Sequence, residues 1–137
     1  MVTAYQDFTL ESAEAAFGLI AQPGELFPGL SPAPVPDWLR DLLQRGHRVA
    51  ALVSEKARSE FLVVPVLLAA QDFVPGALAI YSGQRLDVDP DHGLVGECDY
   101  IIALTPPVPR LCAPRVTILE AKKGDIEAGL GQCLAQT

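Results

Sequence analysis

Two stretches decide how this chain folds: Cys98-Asp99-Tyr100-Ile101-Ile102-Ala103-Leu104 and Val116-Thr117-Ile118-Leu119-Glu120-Ala121-Lys122. Each is a short run rich in β-branched, aromatic and aliphatic residues with Pro or Gly close behind it, the pattern of a strand. Side chains alternate along a strand, so Val116, Ile118, Glu120 and Lys122 share one face while Thr117, Leu119 and Ala121 share the other. Glu120 and Lys122 therefore leave the core side by side at the strand's end. Asp99 stands in an otherwise uncharged run, where an ionised carboxylate is costly unless it is paired or metal-bound.

Residues 77–81 and 85–88 have the same composition between Pro, Gly and Asp, which predicts a meander of three or four strands. A helix capped by Asp125 follows, carrying Ile126, Leu130 and Leu134. Before the meander, Ser54 has N-cap chemistry and opens a helix that passes Glu60 towards Ala70, apolar all round in its later turns and so buried. Pro65 lies inside that segment, and an interior proline costs roughly 3 kcal/mol, so a kinked helix or a strand over 61–64 stays open.

The N-terminal third has a different character. Leu10, Ala13, Phe17 and Ile20 predict an amphipathic helix over 9–21 with Thr9 as its cap. Residues 22–36 hold Pro23, Pro28, Pro32, Pro34 and Pro36, a density that predicts a loop. Asp37 then opens a helix with a stripe of Trp38, Leu39, Leu42 and Leu43, ending near Gly46. The expected organisation is an N-terminal helical extension over 1–53 and an α/β core, an α+β sandwich, over 54–137.

With 137 residues and 50% hydrophobic content the chain can bury a core unaided. Cys98, Cys112 and Cys133 form no Cys-x-x-Cys pair, so neither zinc nor a disulfide framework is implied, and a reducing compartment is the simpler assumption. No leader opens the chain, and its longest apolar run, 61–70, is too short to span a bilayer; a cytoplasmic protein with no membrane partner is expected. The net charge of −7 opposes non-specific nucleic-acid binding. Between Pro106 and Lys123, however, Arg110, Arg115, Lys122 and Lys123 face one acid, Glu120.

Asp99 and Glu120 are hard oxygen ligands which, with the Ala121 carbonyl and waters, suit Mg²⁺ or Mn²⁺. Lys122 would hold an attacking water and stabilise the transition state. Glu60, with Val63 and Val64 three and four positions on, borders an apolar face and could be drawn towards the same metal. Gln132 and Gln136 lie one helical turn apart and can look towards that site or a phosphate. Each signal has an ordinary alternative: a solvated strand end for Glu120 and Lys122, satisfied turn amides for Asp99, surface polarity for the glutamines. His47 and His92 lack a nucleophile setting, and Gly124, Gly129 and Gly131 lack the spacing of a phosphate loop.

In combination these residues resemble the PD-(D/E)XK nuclease superfamily, the restriction endonuclease-like fold, and are similar to the N-terminal nuclease domain of type I restriction subunits. Ser59-Glu60 followed by Phe61 to Leu67 looks like the first core helix with its acid. Tyr81-Ser82-Gly83 and Gly93 to Tyr100 look like the strands that deliver the metal-binding aspartate. Glu120-Ala121-Lys122 resembles the signature triplet, and Gln132-Cys133-Leu134-Ala135-Gln136 the glutamine helix after it. The resemblance implies a helix, a three-stranded meander and a helix, Mg-dependent hydrolysis of phosphodiester bonds, and a nucleic-acid partner, DNA rather than RNA. It implies metal binding by Asp99, Glu120 and Ala121, catalysis by these acids with Lys122 and Glu60, and substrate contacts from Gln132, Gln136 and Lys123. The family's following strand is not found after the glutamine helix: either it is encoded beyond Thr137, or its place is taken by the N-terminal region or a partner chain, which would favour a homodimer. Competing expectations are a catalytically inactive nuclease-fold module that binds nucleic acid or protein, and a plain oligomerisation domain.

Overall fold

Thr9 begins the first helix as predicted: its hydroxyl accepts the Ser12 N–H at 3.2 Å and Ser12 Oγ accepts the Thr9 N–H at 2.9 Å, a reciprocal cap. The computed structural model describes residues 4–74, 76–111, 115–122 and 124–137. Helix α1 (Leu10–Phe17) is shorter than the sequence predicts, because Gly18 at φ 64° closes it in the left-handed region. Ile20 therefore lies outside the helix and is exposed. Residues 19–36 form neither helix nor strand.

Helix α2 (Asp37–Val49) runs through Gly46 instead of ending there. The glycine serves packing rather than capping: a Cβ at position 46 would stand 3.1 Å from the Phe61 carbonyl oxygen. Of the predicted stripe only Leu39 is buried, while Trp38 and Leu42 stay partly in water.

Ser54 caps α3 (Glu55–Arg58) by accepting the Ala57 N–H at 3.1 Å. A π-helical turn (Ser59–Val63) joins it to α4 (Val64–Ala70), which starts with Pro65 in its first turn. The widened turn resolves the proline conflict, since a first-turn residue needs no intrahelical acceptor for its N–H. The segment is helical, and no strand forms over 61–64.

The two runs predicted at 77–81 and 85–88 join into one strand, β1 (Ala79–Asp89), followed by β2 (Leu94–Ala103) and β3 (Arg115–Leu119). They form a three-stranded antiparallel sheet in the order β1-β2-β3. A 3₁₀ turn (Pro90–His92) and Gly93 at φ 75° make the first hairpin, with Asp89 accepting from the His92 N–H. After β3, a 3₁₀ turn (Glu127–Gly129) leads into α5 (Leu130–Gln136), and Asp125 Oδ1 accepts the Ala128 N–H at 3.1 Å. The chain is thus a mixed α/β structure of helices and one antiparallel sheet.

Tyr5, Phe8 and Ala13 share a single apolar cluster with Leu86, Cys98, Ile101 and Ala135. The first residues of the expected extension thus belong to the same packing as β1, β2 and α5. Cys98 is buried and Cys133 exposed, both as free thiols. Among the described residues no helix is long and apolar enough to cross a membrane.

Candidate active site

Strand register brings the two acids together. Tyr100 faces Leu119 across β2 and β3, so the next position outward sets Asp99 opposite Glu120. Regular pairing stops at Leu119, and side chains take over the ladder: Glu120 Oε1 accepts the Asp99 N–H at 3.3 Å, and Asp99 Oδ2 accepts the Ala121 N–H at 2.7 Å. Each carboxylate is held by the main chain of the other strand. Far from a solvated strand end, the Glu120 side chain is 7% exposed.

Helix α5 completes the arrangement. Gln136 Nε2 donates to Glu120 Oε1 at 2.6 Å and lies 3.6 Å from Cys98 Sγ. Gln136 is 5% exposed and its Oε1 has no partner among the described residues, so this side chain braces Glu120 from within, away from the surface. Lys122 Nζ lies 4.0 Å from Glu120 Oε2 and donates to Gln132 Oε1 at 2.9 Å. Its stem passes over Gly129, where a Cβ would come within 2.9 Å of Lys122 Cε. Asp99, Glu120, Lys122, Gln132 and Gln136 thus converge as the sequence predicts.

Glu60 does not join them among the described contacts. It is exposed, 3.9 Å from Lys56, and lines an apolar cleft between α2 and α4. The π turn sets which side chain meets the sheet: Ser59 hydrogen-bonds the Tyr100 hydroxyl, and Glu60, one position on, is turned elsewhere. Glu55 and Asp125 are the acids that border the Lys122 side, lining with Lys122 and Gln132 an open cleft of about 390 Å³. Glu55 directly follows the Ser54 cap, in the first turn of α3, a position with no apolar residue three or four places on to mark it. Lys123 lies outside the described residues.

Burial pushes the Glu120 carboxyl above its ordinary value; the Gln136 amide opposes this, the Asp99 charge adds to it, and Lys122 offsets part. Cys98 is pushed up to about 11 by burial and then by the Glu120, Asp99 and Glu97 charges, so it is a neutral thiol and no nucleophile. Glu120 carries a consequence for stability. A carboxyl raised in the folded state binds protons more tightly than when unfolded, so its ionisation weakens the fold as pH rises from the ordinary 4.5 through the raised value. Glu120→Gln is therefore expected to melt above wild type near pH 7, the gap closing as pH falls below the ordinary value; thermal scans across that range without added metal check it.

The donor chemistry fits a hard cation. Asp99 Oδ1 accepts no hydrogen bond among the described residues, and Glu120 Oε2 has only the Lys122 amine at 4.0 Å. No group of three or more His, Cys, Asp or Glu side chains is placed to hold a metal among the described residues. An ion here would rest on two carboxylates, the Ala121 carbonyl and water, which is within the habit of Mg²⁺ and outside that of zinc.

The chain matches no protein-family model, no curated protein and no solved structure.

Proposed function

We propose that the chain is a metal-dependent nuclease with a restriction endonuclease-like core, hydrolysing phosphodiester bonds of nucleic acid, DNA in preference to RNA. The observation that carries this reading is the pairing of Asp99 with Glu120 across adjacent strands, with the Lys122 amine beside them. The order helix, three-stranded meander, glutamine-bearing helix supports it.

Asp99 Oδ1, Glu120 Oε2 and the Ala121 carbonyl would hold Mg²⁺ or Mn²⁺. When bound, the ion polarises a phosphoryl oxygen and acidifies water. The chain's own groups do the remaining work. Lys122 Nζ, oriented by Gln132 Oε1, positions the attacking water and neutralises charge that develops on phosphorus oxygens. Gln136 fixes the Glu120 rotamer, and the Ala121 N–H fixes Asp99.

The test is calorimetric titration of the protein with Mg²⁺ and Mn²⁺, paired with cleavage assays on single- and double-stranded DNA and RNA. The expected result is metal binding and chelator-sensitive cleavage. Metal binding by wild type and none by Asp99→Ala, without cleavage of any substrate, would establish instead an inactive nuclease-fold module, the reading that the net charge of −7 favours. No metal binding at all ends both.

A further inference from the structure

The chain leaves α1 at Gly18 and reaches α2 at Asp37 as an irregular arm whose large apolar residues meet water: Ile20 is 82% exposed, Leu26 85%, Phe27 69% and Leu30 72%. Its prolines fix φ and remove donors, so the arm cannot bury these side chains by joining a helix or a sheet interior. A second unfilled apolar feature lies where α2 meets the π turn and α4. It is a cleft of about 290 Å³ walled by Leu42, Val49, Phe61 and Leu68, with Arg45 and Glu60 among its lining residues. Gly46 opens its floor by letting α2 approach Phe61 closely.

We propose that this cleft receives the arm of a second copy of the chain, Leu26 and Phe27 entering it with Glu25 against Arg45. Charge complementarity selects the occupant. Two charged residues line the cleft, and one of them, Glu60, lies 3.9 Å from Lys56. The other is Arg45, and its counterpart is Glu25, the only charged residue of the arm, directly before its bulkiest apolar pair. Neither has an ion pair within its own chain among the described residues. The arm runs directly into α2, one wall of the cleft, so a two-fold pairing presents each copy's arm beside the other's cleft, and both contacts form in one interface. Reciprocal docking removes from water two apolar surfaces that a monomer leaves exposed. The inference does not depend on the nuclease reading, since it uses none of the residues around Asp99.

Sedimentation velocity on the full chain across a concentration series tests it. The wild type is expected to show a reversible monomer–dimer equilibrium. The double substitution Leu26→Ser with Phe27→Ser is expected to raise the dissociation constant about a hundredfold. Glu25→Arg and Arg45→Glu are each expected to raise it about tenfold. The two charge reversals together in one chain should restore dimerisation, a rescue that damage to the fold would not produce. All four side chains are exposed, so each variant is expected to keep the wild-type fold, which circular dichroism checks. A wild type that stays monomeric throughout, whether its arm covers its own cleft or serves a different partner, overturns the proposal. So does a dimer indifferent to the arm substitutions, which would join through another face.

Discussion

Gly131→Ala is expected to cost about 3 kcal/mol of folding stability, at the upper end of what overpacking a well-packed interior costs. The first turn of α5 rests directly on the main chain of the N-terminal segment. A Cβ at position 131 would stand 2.2 Å from the Thr9 carbonyl carbon and 2.5 Å from the carbonyl oxygens of Phe8 and Thr9. Every obstructing atom is backbone, so no rotamer change relieves the overlap. Either α5 moves off, drawing Gln132 and Gln136 away from Lys122 and Glu120, or the N-terminal segment lifts and takes Tyr5 and Phe8 out of the core.

A loss of that size is a large fraction of the roughly 5–15 kcal/mol that holds a domain together, and it should lower the melting temperature by roughly 10 °C. Gly124→Ala is the control: nothing lies within 4 Å of a Cβ there, and little change is expected. Urea unfolding of the two variants beside wild type gives the comparison. Equal stability of Gly131→Ala and wild type would mean that α5 does not sit on Phe8 and Thr9.

That contact also shows where sequence pattern stops being informative. The composition of 98–104, the alternation in 116–122 and the cap residues Thr9, Ser54 and Asp125 are local signals, and the elements they predict are present with shifted ends: β3 stops at Leu119, and Asp125 precedes a 3₁₀ turn before α5 begins at Leu130. The inward place of Tyr5 and Phe8 is not local. It depends on Gly131 admitting the Thr9 backbone and on Gly96 admitting the Tyr5 ring, where a Cβ would come within 3.1 Å of it. No period in residues 4–8 encodes a partner over a hundred positions away. Gly46 misleads for the same reason: its smallness answers Phe61, while a helix-end signal is what the sequence displays.

The acids divide along the same line. Asp99 and Glu120 could be paired from sequence because a meander of short strands leaves few registers, and the observed one aligns them. Glu60 could not be placed, since helical neighbours counted at 3.6 residues per turn go out of phase across a π turn. Gln132 and Gln136 sit on one side of α5, yet they act differently: one meets an amine at the polar cleft, the other a buried carboxylate. Spacing gave the shared side and burial decided the roles.

The most direct test of the proposed chemistry is Lys122→Met, which keeps the stem that lies over Gly129 and removes only the amine. Under the nuclease reading, single-turnover cleavage should fall about a thousandfold, the scale seen when a preorganised charge-stabilising donor is lost. Metal titration, carried out at about pH 8 so that the carboxylates stay ionised, should change little, because Asp99 Oδ1 and Glu120 Oε2 remain in place, held by the Ala121 N–H and Gln136. Lys122→Arg should not rescue the rate, since the bulkier planar guanidinium cannot present a point charge 4.0 Å from Glu120 Oε2 while bonded to Gln132. Gln132→Ala leaves the amine its charge but frees it to rotate, so a milder loss of about tenfold is expected, within the usual range for a positioning contact. The pattern separates a reacting amine from a structural one. If Lys122 merely balanced the buried charge of Glu120, its removal would weaken the fold and the metal site together while leaving the rate per metal-loaded molecule untouched.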